Sequence, residues 1–219
     1  MRINVFLTKP TKTLPRSTQE FMNTYIHKCL GHNNKYHDAF SDYSISSLQG
    51  GVWRDGVRLF ENEEPYFVIS SENTEFISDI LLGIQSTDID VMSMRFARFE
   101  IDDFHLHTKF DKVLSISPIL LKDKNDKKIT YLEDGWLERL TEQSIGKLKH
   151  CGIEDTSLKI EFFHKEKAKP RMVYVGKTFN PCSMVGLKIS GTERARRALY
   201  NLGLGNCTGC GFGAVKTYA

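Results

Sequence analysis

The stretch Gly203-Leu204-Gly205-Asn206-Cys207-Thr208-Gly209-Cys210-Gly211-Phe212-Gly213 carries five glycines in eleven positions. Glycine accepts positive φ and lets backbones approach closely, so this segment must turn sharply or let another surface come near. A helix starting at Thr192 or Glu193 precedes it, and a strand over 212–218 follows. Dinucleotide and Walker loops need glycines after a strand and before a helix. Here the order is reversed, no Gly-Lys-Ser/Thr occurs and the spacing is not G-x-G-x-x-G, which excludes a nucleoside-triphosphate site of those kinds. Ala195, Leu199 and Leu202 lie at i, i+4 and i+7 and should face a core, whereas Arg194, Arg196 and Arg197 crowd four positions ahead of the glycines. Three guanidinium groups beside a loop of backbone N–H groups make a plausible cradle for phosphates. Gly203 alone would read as a helix C-cap and the later glycines as a bulge, but five in eleven exceed that need.

Upstream, 112–121 reads as a strand, 123–128 as a charged turn, and 132–148 as a helix whose apolar stripe is Trp136, Leu137, Leu140 and Ile145. Strands are expected at 156–163, 173–179 and 184–190. The first half has the same order. A strand over Arg2–Thr8 ends at Lys9-Pro10; a helix capped at Ser17 or Thr18 runs through Phe21, Met22, Tyr25, Ile26, Cys29 and Leu30 to Gly31. Strands follow at 43–48, 58–60 and 66–70, then a helix capped by Asn73 or Thr74, then a strand over 94–101. Each half is a β-α-β-β-α-β series, so the expected fold is α+β with two tandem ferredoxin-like (RRM-like) domains. The boundaries are 1–103 for an N-terminal domain holding a catalytic loop and 104–219 for a C-terminal domain holding the glycine-rich loop.

Composition narrows the class. A 40% hydrophobic content over 219 residues suits a folded chain rather than a disordered one. No run of 18 apolar residues exists, and the charged start fits no signal peptide, so the expectation is a cytoplasmic protein with no membrane partner. Five irregularly spaced cysteines argue for reduced thiols over a disulfide framework. The net charge of +3 hides an asymmetry: residues 1–103 carry ten Lys and Arg against fifteen Asp and Glu, and residues 104–219 carry twenty against twelve. A basic C-terminal half points to a polyanion, and solvated lysines account for the charge equally well.

Gly203-Leu204-Gly205 and Gly211-Phe212-Gly213 after a helix resemble the glycine motif of the CRISPR-associated endoribonucleases that cut repeat RNA into guide RNAs, within the RAMP superfamily. Ser117-Pro118-Ile119 at the start of the second unit, and Tyr36-His37-Asp38 followed by Ser44–Leu48 after the first helix, are also similar. The resemblance implies the tandem ferredoxin-like fold and cleavage of CRISPR precursor RNA with no metal and no cofactor. In that chemistry the ribose 2′-OH attacks the adjacent phosphate, leaving a 2′,3′-cyclic phosphate and a 5′-OH. Guide RNA and other CRISPR-associated proteins are the implied partners. The alternative is a non-cleaving RNA-holding subunit of an interference complex.

Such cleavage needs a base, an acid and cations, roles that suit His, Tyr, Lys or Arg. His37 matches the family position and is the first choice for base; His32 in the same loop is its rival. Tyr25 resembles the helix tyrosine of some members, and its spacing equally fits a core aromatic. No lysine lies between His37 and Lys109, so Lys35, Arg54, Ser46 or Ser47 must substitute for the lysine other members use. His105 and His107 share a strand face with Asp103, too few ligands to define a zinc site. Cys207 and Cys210 form a Cys-x-x-Cys without a second pair, so zinc and redox roles are both weak readings. Lys165, Lys167, Lys169 and Arg171 after His164 read as a basic stretch for the RNA backbone, with a solvated turn as the plain alternative.

Overall fold

The computed structural model describes residues 1–15, 17–31, 34–36, 40–55, 57–90, 92–103 and 110–218. In the first unit, β1 (Arg2–Leu7), β2 (Tyr43–Ile45), β5 (Tyr66–Ser71) and β6 (Phe96–Ile101) form an antiparallel sheet in the order β2-β5-β1-β6. Helices α1 (Gln19–Leu30) and α2 (Thr74–Ser86) cover one face. In the second unit, β7 (Lys112–Ser115), β10 (Lys159–Phe162), β13 (Gly186–Ser190) and β14 (Val215–Thr217) repeat that order as β10-β13-β7-β14, with α3 (Trp136–His150) and α4 (Glu193–Leu202) as its helices. Both sheets have the strand order and antiparallel sense of a ferredoxin-like βαββαβ unit. The fold is therefore the tandem expected from the sequence.

Each unit has its own core, because alternate strand residues and one helix stripe face each other. Ile3, Val5, Phe67 and Ile69 meet Ile26 and Ile80 in the first; Val113, Ile160, Leu187 and Ile189 meet Leu140 and Leu199 in the second. Asn73 caps α2 by accepting from the backbone N–H groups of Glu75 and Phe76 at 3.0 and 3.2 Å. Thr192 does the same for α4, accepting from Ala195 N–H.

Several elements differ from the sequence reading. The single strand expected over 112–121 breaks after Ser115 and resumes as β8 (Leu121–Lys122), since Pro118 has no N–H to donate to a ladder. Its carbonyl instead accepts from Gly213 N–H at 3.0 Å. The helix expected from Leu132 starts at Trp136, because Thr130 and Glu133 close a turn on each other and Gly135 takes a left-handed conformation at φ 78°. The strand expected over 173–179 is a hairpin of β11 (Lys169–Val175) and β12 (Thr178–Met184) turning at Gly176-Lys177. A further hairpin, β3 (Val52–Arg54) with β4 (Val57–Leu59), precedes β5, and β8 pairs with β9 (Lys128–Ile129). Among the described residues, no helix is long and apolar enough to cross a membrane.

Candidate nucleic-acid interface

The glycine loop begins where α4 ends. Gly203 takes φ 70° and donates to Leu199 O at 2.9 Å, then Leu204 N–H donates to Gly213 O at 2.9 Å, closing the loop on itself. A Cβ on Gly213 would collide with the Leu204 carbonyl oxygen, and one on Gly205 with that of Leu120. Asn206 N–H donates to Leu120 O at 2.7 Å while its side-chain oxygen accepts from Lys122 N–H at 3.0 Å, extending the β8 edge.

The loop is wedged between the two units. Gly209 packs on the Tyr43 ring, Gly211 on Gln19, and Thr208 Oγ1 donates to Tyr43 O at 3.0 Å. Beside it, Ser70 Oγ donates to Asn201 O at 2.8 Å and Asn201 Nδ2 to Glu72 Oε1 at 2.6 Å. Ser47 N–H donates to Ser117 Oγ at 2.7 Å, and the N–H groups of Ile116 and Ser117 donate to Ala214 O. Three separated sequence features, Ser44–Leu48, Ser117-Pro118-Ile119 and the glycine motif, thus meet at one junction.

All five glycines are buried, and only Asn206, Cys207 and Cys210 reach the surface of that segment. This changes the phosphate-cradle reading of Gly203, Gly205, Gly209, Gly211 and Gly213: the missing side chains serve close packing against neighbouring backbone and side chains, and none of the five is exposed. Of the arginines, Arg194 is exposed, Arg196 donates to Gly191 O at 2.9 Å and Arg197 pairs with Glu193 at 2.6 Å.

His37 and His32 lie outside the described residues, as do His105 and His107. Tyr25 is 1% exposed, its ring edge-on to Phe67, and burial pushes its hydroxyl pKa well above the ordinary value. Its helical spacing therefore delivers it to the core rather than to a surface open to RNA. Ser46 is also wholly buried, donating to Ser47 O and accepting from Val68 N–H at 2.8 Å, which makes it part of the β2 edge. Lys35 is exposed and pairs with Glu75 and, at 3.4 Å, with Asp79; those partners raise its pKa. Asp79 also accepts from Tyr36 at 2.7 Å. Lys165, Lys167, Lys169 and Arg171 are all exposed, on a 3-10 turn and the outer edge of β11.

The structure adds a surface that no motif announced. Along β7, β13 and β14, Val113, Leu187, Ile189 and Val215 turn to the helices, so Lys112, Lys188 and Lys216 stand on the opposite, open face, with Lys159 on β10. Phe163 borders it, with Lys112 Nζ 4.7 Å and the Tyr218 ring 4.8 Å from its centroid. Glu161 and Asp111 offset it only in part, at 2.8 Å from Lys159 and 3.9 Å from Lys188. Period-two alternation of lysine with Val, Ile and Leu was the available signal.

Two ferredoxin-like units locked together through a glycine-rich loop, with basic side chains on the second, define a tandem ferredoxin-like protein. Residues 104–217 match the family model described as CRISPR associated protein Cas6, C-terminal. The chain belongs to the Cas6 family. Among solved structures, it is similar to a CRISPR associated protein Cas6 at TM-score 0.81 and 21% identity, covering 100% of this chain and 99% of that one. A Cas6-related protein from Pyrococcus furiosus is similar at TM-score 0.82 and 20% identity over 100% and 98% of the two chains. A RAMP protein described as binding different RNA substrates is similar at 0.82 and 20% over 100% of both. Comparison with curated proteins finds no match.

Proposed function

We propose that the chain is an endoribonuclease that cuts CRISPR precursor RNA within the repeat, without a metal, by 2′-OH attack on the adjacent phosphate. The observation that carries this reading is the seating of the Gly203–Gly213 loop at the junction of both units, in a chain whose residues 104–217 match the Cas6 model. Solved structures described as Cas6 product complexes support the RNA-processing part of it.

The nucleophile belongs to the substrate, so the protein supplies proton transfer and positive charge. His37 is the base, since an unperturbed imidazole changes charge near neutrality; His32 is the second candidate. Lys35 remains protonated and supplies charge for the phosphorane. Its ion pairs to Glu75 and Asp79 are exposed and weak, so a phosphate competes for it readily. Lys165, Lys167, Lys169, Arg171 and Arg194 hold the RNA backbone, with Lys112, Lys188 and Lys216 as a second contact surface. Because Tyr25 and Ser46 are buried, neither acts directly on the phosphate. That burial favours the alternative, an RNA-holding subunit that does not cut, if His37 proves dispensable.

The test is cleavage of a labelled repeat RNA in EDTA, beside a substrate with a 2′-deoxy at the cut site. Cutting of the first alone, abolished by His37→Ala with binding retained, is the expected result. Binding of the repeat from the matching array without any cutting establishes the RNA-holding reading instead.

A further inference from the structure

The tip of the glycine loop holds two thiols three positions apart, Cys210 packed against the cluster of Leu120, Val173, Cys182 and Phe212. Cys207 is exposed and sits at φ 56°, and a 3-10 turn over Thr208–Cys210 follows, with Cys210 N–H donating to Cys207 O at 2.9 Å. A turn closed from i to i+3 keeps its end Cα atoms within about 7 Å, which overlaps the roughly 4.4–6.8 Å that a disulfide spans. The backbone is fastened on either side, at Asn206 to Leu120 and at Thr208 to Tyr43.

The surroundings set Cys207 apart. The neighbouring Cys210 thiol, with Lys122, Lys147 and Lys128 adding positive potential against the cost of burial, holds its thiol below the ordinary cysteine value. Burial pushes the Cys29 thiol up to about 11 and the Cys182 thiol up to about 12. Thiol reactivity follows thiolate fraction and access, and Cys207 has both.

We propose that Cys207 and Cys210 are a redox-active dithiol, converted to an intramolecular disulfide by a low-molecular-weight disulfide such as oxidised glutathione. The Cys207 thiolate attacks one glutathione sulfur, forming a mixed disulfide and expelling one glutathione thiolate. Cys210 then loses its proton and attacks the Cys207 sulfur, expelling the second. The two protein thiols give up two electrons, and the glutathione disulfide takes them to become two thiols. The reduced tip carries a negative charge among Lys122, Lys128 and Lys147; the oxidised tip carries none. On the RNA reading above, on which this consequence rests, oxidation removes a charge that repels phosphate, and affinity rises about 2- to 5-fold, the size of one exposed charge interaction.

The experiment incubates the folded protein with graded ratios of reduced to oxidised glutathione, alkylates remaining thiols and maps disulfides by mass spectrometry. Repeat-RNA affinity is measured on the same samples. The expected result is a Cys207–Cys210 bridge formed while Cys29 and Cys182 stay free, tighter RNA binding, and a Cys207→Ser variant whose affinity ignores the glutathione ratio. Free thiols at Cys207 and Cys210 throughout, an unresolved mixed disulfide at Cys207, or a bridge from Cys210 to Cys182 overturns the proposal. A correct bridge with unchanged affinity overturns the charge coupling. RNA bound by neither form counts against the RNA reading, and the peptide map still decides the dithiol.

Discussion

Lys147 Nζ, on a side chain buried in the second unit, lies 3.2 Å from the carbonyl oxygen of Gly203, the residue that ends α4. The same ammonium reaches Thr208 Oγ1 at 3.4 Å, and Thr208 in turn donates to Tyr43 O in the first unit. One lysine thus ties α3, the end of α4, the glycine loop and, through Thr208, β2. Burial drives its pKa down to about 7 from the ordinary 10.5.

Stability should therefore depend on pH in a defined sense. A lysine whose folded pKa is lowered leaves the unfolded chain holding more protons between about 7 and 10.5, so stability rises with pH across that window. Below about 7 the penalty is constant. The wild-type protein should gain on a Lys147→Met variant as pH rises above 7, with a slope approaching about 1.4 kcal/mol per pH unit. Cys207, whose thiol Lys147 helps to hold down, contributes a slope of the same sign, so the lysine is isolated by comparing Cys207→Ser with the Cys207→Ser, Lys147→Met double variant. Urea unfolding at a series of pH values measures it; parallel curves would remove Lys147 as the cause.

Gly213 takes φ 67°, and a Cβ there meets the Leu204 carbonyl. Gly213→Ala should cost about 2–4 kcal/mol, since neither backbone can retreat without breaking the Leu204 to Gly213 hydrogen bond. Gly146→Ala is the control. It lies exposed in α3 with nothing within 4 Å, and the change should stabilise by about 0.5–1 kcal/mol. Thermal melts of the two variants should move in opposite directions.

Asp155 holds the start of α4. Its carboxylate accepts from Ser157 N–H and hydroxyl at 2.9 and 2.6 Å and from Thr192 N–H and hydroxyl at 2.6 and 2.9 Å. The Ser157 hydroxyl, followed by the backbone donors, lowers its pKa to about 2. A depressed carboxylate stabilises fully above its ordinary value of 3.8, and the contribution disappears as pH falls toward 2. Asp155→Asn should lose stability at neutral pH by about 1–3 kcal/mol and show a weaker acid dependence between pH 4 and 2, as followed by circular dichroism.

Two basic surfaces are open to RNA, and salt dependence tells which is used. Each phosphate contact on single-stranded RNA adds about 0.7 to the slope of log affinity against log salt. A Lys112→Ala, Lys188→Ala, Lys216→Ala triple variant should lower that slope by up to about 2 if the open sheet face holds the strand. The matching triple at Lys165, Lys167 and Lys169 tests the β11 edge in the same way. A slope unchanged by either set would leave Arg194 and the loop tip as the backbone contacts.

Local physics was legible before any coordinates. β1 ends at Leu7, just ahead of Lys9-Pro10, Asn73 and Thr192 cap their helices, and the repeated βαββαβ order follows from apolar spacing within single segments. Where a segment held a turn inside an apolar run, as at Gly176-Lys177 or Pro118, alternation alone merged two strands into one, because a turn does not disturb the polarity pattern around it. Tyr25 and Ser46 show the limit for the site. A tyrosine at helical spacing fits the core or a catalytic face equally, and only the packing of α1 on Phe67 decides between them.

By itself, then, the sequence determined the tandem ferredoxin-like architecture, the basic second half and the glycine motif, because each is a property of neighbouring residues. Tertiary structure alone decided that the five glycines are buried wedges, that Lys147 is enclosed beneath them, and that the lysines of β7, β13 and β14 gather on one open face. Those facts rest on contacts such as Thr208 with Tyr43, 165 positions apart, and no local hydrogen-bonding pattern encodes such a distance.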